Sequence, residues 1–169
     1  MATPNQQNLV EKNEEYVKNF THGHLELPPA KKYLVLTCMD ARIDPAAAFG
    51  IGLGDAHVIR NAGASARDGL RSVVISQLLL GTREVLLVKH TGCGMLTFTG
   101  EQAHALVRHN YGVEAAAELA GLDFLEFPDL EQAVRDDVAF LKASKAVPDH
   151  VVVSGWVYEV ETGKARRVE

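Results

Sequence analysis

A chain of 169 residues, 47% of them hydrophobic, has the length for one domain with a sizeable core. Its formal net charge of -5 leaves none of the basic footprint that nucleic-acid binding requires, so no nucleic-acid partner is expected. No stretch approaches the ~20 apolar residues of a membrane-spanning helix, and the polar start from Met1 to Lys12 lacks the apolar centre of a secretory signal, so the expectation is no membrane contact and a cytoplasmic location.

Residues 5–20 read as a polar amphipathic helix with Leu9, Val10, Tyr16, Val17 and Phe20 on a rough stripe. Pro28 and Pro29 end that region, which suggests an amino-terminal helical arm over residues 1–27 joined to an α/β core over 28–169 within one domain, 1–169. The apolar run Tyr33-Leu34-Val35-Leu36 is the first strand and leads into Cys38. Asp44-Pro45 opens a short helix through Phe49, because aspartate caps well and proline suits the first turn. Gly50, Gly52 and Gly54 read as a turn and not as a dinucleotide loop, since they follow no strand and lack the G-x-G-x-x-G spacing. A second strand over 56–60 ends in a turn over 61–64. Ser65 and Asp68 then start a helix that carries Val73, Val74, Leu78 and Leu79 and stops at Gly81.

A third strand over 85–88 delivers His90, and a short helix is expected to begin over 93–96, with Gly92 and Gly94 allowing a tight bend. Helices over 100–110 and 113–120 and a fourth strand over 123–126 follow. Leu130, Val134, Val138 and Leu141 recur at helical spacing as core positions, and Pro148 ends their segment. The last strand runs from residue 151 through Trp156 and Tyr158, and residues 161–164 turn toward a solvated tail carrying Lys164, Arg166 and Arg167. Strands alternating with helices predict an α/β fold with a mainly parallel central sheet flanked by helices.

The chemistry concentrates in two segments, Cys38-Met39-Asp40-Ala41-Arg42 and His90-Thr91-Gly92-Cys93-Gly94, each following an apolar strand. Both should therefore lie at the carboxyl edge of the sheet, where open α/β folds take their ligands. Two thiolates and an imidazole make a borderline-soft donor set that suits zinc and leaves a fourth tetrahedral position open. The chain has only Cys38 and Cys93, so a closed all-cysteine structural site is excluded. A disulfide between them fits less well than a thiolate site in a reducing compartment. By itself an Asp40–Arg42 pair is an ordinary ion pair near a strand end. Two and four residues after a ligand candidate, however, a local turn can aim both toward the metal. His22, His24, His57, His104, His109 and His150 have no comparable context, and Met95, Leu96 and Phe98 are candidates for a pocket wall or for plain core.

The motifs C-x-D-x-R and H-x-x-C resemble the zinc signatures of the β-class carbonic anhydrases, and the likeness continues through Arg60-Asn61-Ala62-Gly63, covering roughly residues 33–96. The short chain is similar to the family's compact branch, which includes carbonyl sulfide hydrolase-like members. The resemblance implies a β-carbonic anhydrase-like fold, one Zn2+ per chain held by Cys38, His90 and Cys93, and a catalytic dyad of Asp40 and Arg42. In that scheme metal-bound hydroxide hydrates carbon dioxide reversibly to bicarbonate, Asp40 orients it, and Arg42 holds Asp40 ionised and off the metal. The alternative is hydrolysis of carbonyl sulfide to hydrogen sulfide and carbon dioxide by the same attack. A third reading is a non-catalytic zinc or redox-sensing protein whose site Asp40 closes. The family is built from dimers with the amino-terminal helix reaching across, so a homodimer or dimer-based oligomer is also implied. One departure stands out: the second glycine of the common Asn-Ala-Gly-Gly turn is Ala64 here.

Overall fold

Residues 1–169 are all described by the structure, a computed structural model. The two most apolar runs become inner strands. β1 (Tyr33–Cys38) pairs in parallel with β2 (Ala56–Asn61) on one side, Cys38 facing Asn61, and on the other with β3 (Glu84–His90), Thr37 facing Val88. β4 (Val152–Glu159) continues the parallel sheet beyond β3, with His90 opposite Tyr158, and the antiparallel β5 (Lys164–Arg167) completes the order β2-β1-β3-β4-β5. Residues 34–38 are buried on both faces of the sheet, which is why β1 reads as an unbroken apolar run and not as an alternation.

Five helices accompany the sheet: α1 (Pro4–Val17), α2 (Pro45–Phe49), α3 (Ala66–Leu78), α4 (Gly100–Glu118) and α5 (Leu130–Ala143). α3 and α5 cover one face, where Val73, Val134, Val138 and Leu141 close the main core with Leu34, Leu36, Val85 and Leu87. The helical stripe read from the sequence of α5 is thus core. On the other face, Val35, Leu86, Val88 and Trp156 border a cavity of about 330 Å3 beside Phe49 of α2. α1 buries none of its residues, and no helix is long and apolar enough to cross a membrane.

The strand order places a topological switch between β1 and β3. From β1 the chain steps to one side into β2 and then passes back across to β3, which opens a crevice at the carboxyl ends of the two inner strands. Beside that crevice a 3-10 turn, Ala62–Ala64, follows β2. Its Gly63 has φ 69°, and Ala64, fully buried and not a glycine, has φ 53°. Left-handed backbone costs a residue with a Cβ roughly 1–2 kcal/mol, so this turn is held by its surroundings.

Several expectations need correction. Residues 123–126 are not a strand: Leu125 takes φ 58° while its N–H donates to Asp123 Oδ1, and Glu126 turns its carboxylate to the Gly100 N–H. A side chain thus claims the Leu125 N–H that a strand would pair, and the left-handed Leu125 breaks the extended run. The two helices read at 100–110 and 113–120 are, by contrast, both present as the halves of α4, which kinks between them at Gly112 (φ 91°). Residues 93–96 hold one 3-10 turn, Gly94–Leu96. The expected solvated tail pairs with β4 as β5, and α1 stops at Val17, short of residue 20.

Candidate metal centre

Each segment of the site is set by its own turn. After β1, the Met39 N–H still bonds the Asn61 carbonyl, and the chain then closes with Ile43 N–H on the Asp40 carbonyl. Asp44 caps α2 by accepting from the Ala46 and Ala47 N–H groups. After β3, the Thr91 N–H bonds the Tyr158 carbonyl, Gly92 turns at φ 59°, and Cys93 precedes the Gly94–Leu96 turn. Arg60 ties the first segment down, donating from Nε to the Cys38 carbonyl at 3.0 Å and from Nη2 to the Asp40 carbonyl at 2.7 Å.

These turns bring Cys38, His90 and Cys93 together, one ligand atom from each lying within 4.8 Å of the others, and all three residues are buried. His90 Nδ1 faces the Thr91 carbonyl at 2.9 Å, which leaves Nε2 as its free donor atom. That Nε2 is buried and has no hydrogen-bond partner. An unpaired buried imidazole nitrogen calls for an explanation, and a metal ion between it and two sulfurs supplies one, so the residues present fit zinc. Its neighbours, Cys93 first and then His90 and the Asp40 and Gly63 backbones, pull the Cys38 thiol well down toward the thiolate against the opposing effect of burial. Cys93 beside it is pushed up. Two sulfurs and an imidazole in one buried cluster are a donor set that a soft or borderline cation would complete.

Asp40 and Arg42 also meet. Arg42 forks onto the carboxylate, Nε to Oδ1 at 2.9 Å and Nη2 to Oδ2 at 2.7 Å, and its backbone N–H adds a third bond to Oδ1. The side-chain bond from Arg42 is the main reason that the Asp40 carboxyl sits well below the usual carboxylate range. Nη2 also reaches the Gly92 carbonyl at 2.9 Å, so one guanidinium joins the two segments. The second Asp40 oxygen lies 3.7 Å from His90 Nε2, at the edge of the donor cluster but engaged with Arg42.

Ile43 and Ala64 pack with the two cysteines, and Phe49, Met95, Leu96, Phe127 and Tyr158 surround this small apolar cluster. Met95 and Leu96 thus pack against the cluster of the two cysteines, whereas Phe98 stacks away from it on Phe124. Phe127 and Tyr158 were not legible in the sequence, because only the tertiary fold brings them near. The same is true of Glu161, which accepts from the Thr91 hydroxyl at 2.7 Å. Among the other histidines, His57 bonds Ser76, His104 the Leu122 carbonyl and His24 the Thr21 carbonyl.

A donor set of this kind at a switch point places the chain among α/β proteins with a metal-capable ligand edge. The chain belongs to the β-carbonic anhydrase family: the family model described as carbonic anhydrase matches residues 33–165. It is 39% identical over 157 residues to β-carbonic anhydrase 1 of Mycobacterium tuberculosis, covering 92% of this chain and 93% of that one. It is also 31% identical over 183 residues to the carbon disulfide hydrolase of Saccharolobus solfataricus, covering 94% of this chain and 86% of the relative. Among solved structures, the carbonic anhydrase from Glaciozyma antarctica superposes with a TM-score of 0.95 at 48% identity, over 99% of this chain and all of the other. The predicted fold is thus the fold observed.

Proposed function

We propose that this protein is a zinc enzyme that hydrates carbon dioxide reversibly to bicarbonate, with Cys38, His90 and Cys93 holding one Zn2+ per chain and Asp40 with Arg42 as the catalytic pair. The observation that carries the reading is the Asp40 carboxylate, forked on Arg42 and 3.7 Å from the unpartnered His90 Nε2. Zinc on three protein donors supplies a Lewis acid that makes water nucleophilic near neutral pH. Asp40, kept anionic by Arg42, accepts a hydrogen bond from the attacking water and aims its lone pair at the substrate carbon. Arg42 also engages both Asp40 oxygens, which restrains the carboxylate from closing the fourth position. Met95, Leu96 and Phe127 give an apolar surround fit for a small, linear, uncharged molecule and poor for the charged product.

Hydrolysis of carbonyl sulfide is the second reading, favoured by the relatives named carbon disulfide hydrolase. Selection between such similar molecules rests on pocket width, where small apolar differences are worth ~1–3 kcal/mol. The exposed apolar residues of α1, including Leu9, Val10, Tyr16 and Val17, support an arm over residues 1–27 that packs on a second copy, giving a homodimer or dimer-based oligomer. Two free cysteines in the site support a reducing, cytoplasmic setting.

The test is turnover of the zinc-loaded protein on carbon dioxide and carbonyl sulfide in one preparation, following proton release and sulfide release. Fast proton release with slight sulfide release is the expected result. The reverse makes the protein a sulfur-analogue hydrolase, and inactivity toward both gases removes the enzymatic reading.

A further inference from the structure

We infer that Lys89 is a positioning residue for the metal centre: from the far face of β3 it clamps the turn Ala62–Ala64, which walls the donor cluster, in a backbone shape that Ala64 does not favour by itself. The inference rests on the reading of Cys38, His90 and Cys93 as metal ligands.

Lys89 precedes His90, and the alternation of a strand sends their side chains to opposite faces. Lys89 is only 2% exposed. Its Nζ donates to the Gly63 carbonyl at 2.8 Å and the Ala64 carbonyl at 3.2 Å, and pairs with Asp137 Oδ2 at 2.8 Å, so all three ammonium donors have partners. The cation also lies 4.7 Å from the centre of the Phe127 ring. Asp137 Oδ2 accepts the Ala66 N–H as well, so a carboxylate on α5 holds both the ammonium and the start of α3. An apolar side chain would fill a buried strand position without the desolvation cost of an ammonium. Two of the three bonds that compensate for that cost go to carbonyls of one turn, which marks the turn as what the charge holds.

That turn bears directly on the site. Ala64 is fully buried at φ 53° and packs in the cluster of Cys38 and Cys93. A Cβ on Gly63 would come within 2.8 Å of Met95 Cγ and 3.1 Å of Phe127 Cε1, so the turn already lies hard against the wall. Two carbonyls gathered on one ammonium fix the peptide planes on either side of Ala64. Without the ammonium, Asn61 Oδ1 still accepts the Ser65 N–H at 2.8 Å but the Gly63–Ala64 plane loses the Lys89 bond, and the turn relaxes toward an ordinary φ at Ala64, which draws its methyl away from the thiols. Supporting contacts of this kind around ligand atoms tune how a metal is held.

The test is a double-mutant cycle of Lys89→Met and Ala64→Gly in cobalt-loaded protein, reading the metal dissociation constant and the ligand-field absorption bands. Lys89→Met is expected to weaken metal binding about 10–100-fold and to shift the bands. In the Ala64→Gly background the same change should cost several-fold less, because glycine takes positive φ without a steric penalty. Equal losses in both backgrounds, or an unchanged constant and spectrum in Lys89→Met, would overturn the clamp. Should Lys89→Met fail to fold, Asp137→Asn replaces it in the cycle, keeping the lysine and the shape of its partner while removing the partner's charge. Turnover of the parent on both gases is measured alongside. A parent that shows the coupling but turns over neither gas removes the proposed reaction and leaves the clamp standing, and an active parent with equal losses does the reverse.

Discussion

The Arg42 guanidinium serves three acceptors, two on Asp40 and one on Gly92, and so decides both the charge and the direction of the carboxylate. Asp40→Asn keeps the shape but loses the anionic acceptor, and turnover should fall on the order of 10²-fold or more with metal content unchanged, as read by stopped-flow assay and metal analysis of one sample. Loss of metal instead would make Asp40 a ligand. The pH behaviour follows from the sign of the shift. The folded carboxyl is depressed, so the pair's contribution to stability is present above the unfolded carboxylate range and disappears as pH falls through the lower folded value. Arg42→Leu removes the main cause, and the Asp40 titration should return toward about pH 4, visible in its carboxyl 13C resonance. An unmoved titration would show that the depression has another source.

At the scale of elements, β4 meets α5 with no room to spare at Gly155. A Cβ on Gly155 would run into Val134 Cγ1 and lie 2.9 Å from Val138 Cγ2. Gly155→Ala should therefore overpack the interface and lower stability by about 1–3 kcal/mol, measured as a shift in the urea midpoint. No shift would mean that α5 moves outward freely. The inner strands were legible because burial on both faces writes a continuous apolar run, as in Tyr33 to Leu36. Residues 123–126 offer only Phe124 and Leu125 between two carboxylates, and there Asp123 takes the Leu125 N–H while Leu125 turns left-handed. β5 was not legible at all: Lys164, Arg166 and Arg167 show no apolar pattern, and an edge strand exists only through the ladder that it joins. Within the site, Cys38 with Asp40 and Arg42, and His90 with Cys93, announce themselves by close spacing along the chain. Lys89 does not, because its partners Gly63 and Asp137 lie far away along the chain.

For the whole molecule, α1 stands apart as a helix with capped ends whose every residue is exposed. If it serves as an arm between copies, removing residues 1–27 should reduce the assembly to a smaller species in light scattering after size exclusion, with the Cys38, His90 and Cys93 donors still able to take up metal. An unchanged mass would place the interface elsewhere, for instance over the sheet face around Trp156.

Cys38 closes β1, whereas His90 closes β3 and Cys93 follows it, and the two strands meet only after the chain has passed through β2 and α3. The donor set therefore does not exist in any local fragment. A bound ion favours by mass action only the ensemble in which that long-range pairing is complete, adding about 1.4 kcal/mol for each tenfold excess of free metal over its dissociation constant. Chelation should accordingly lower the thermal midpoint and speed amide exchange first where β1 and β3 pair. The ion would act as a staple across the sheet as well as a reagent, and the last strand to find its partner in folding would be the one that admits it.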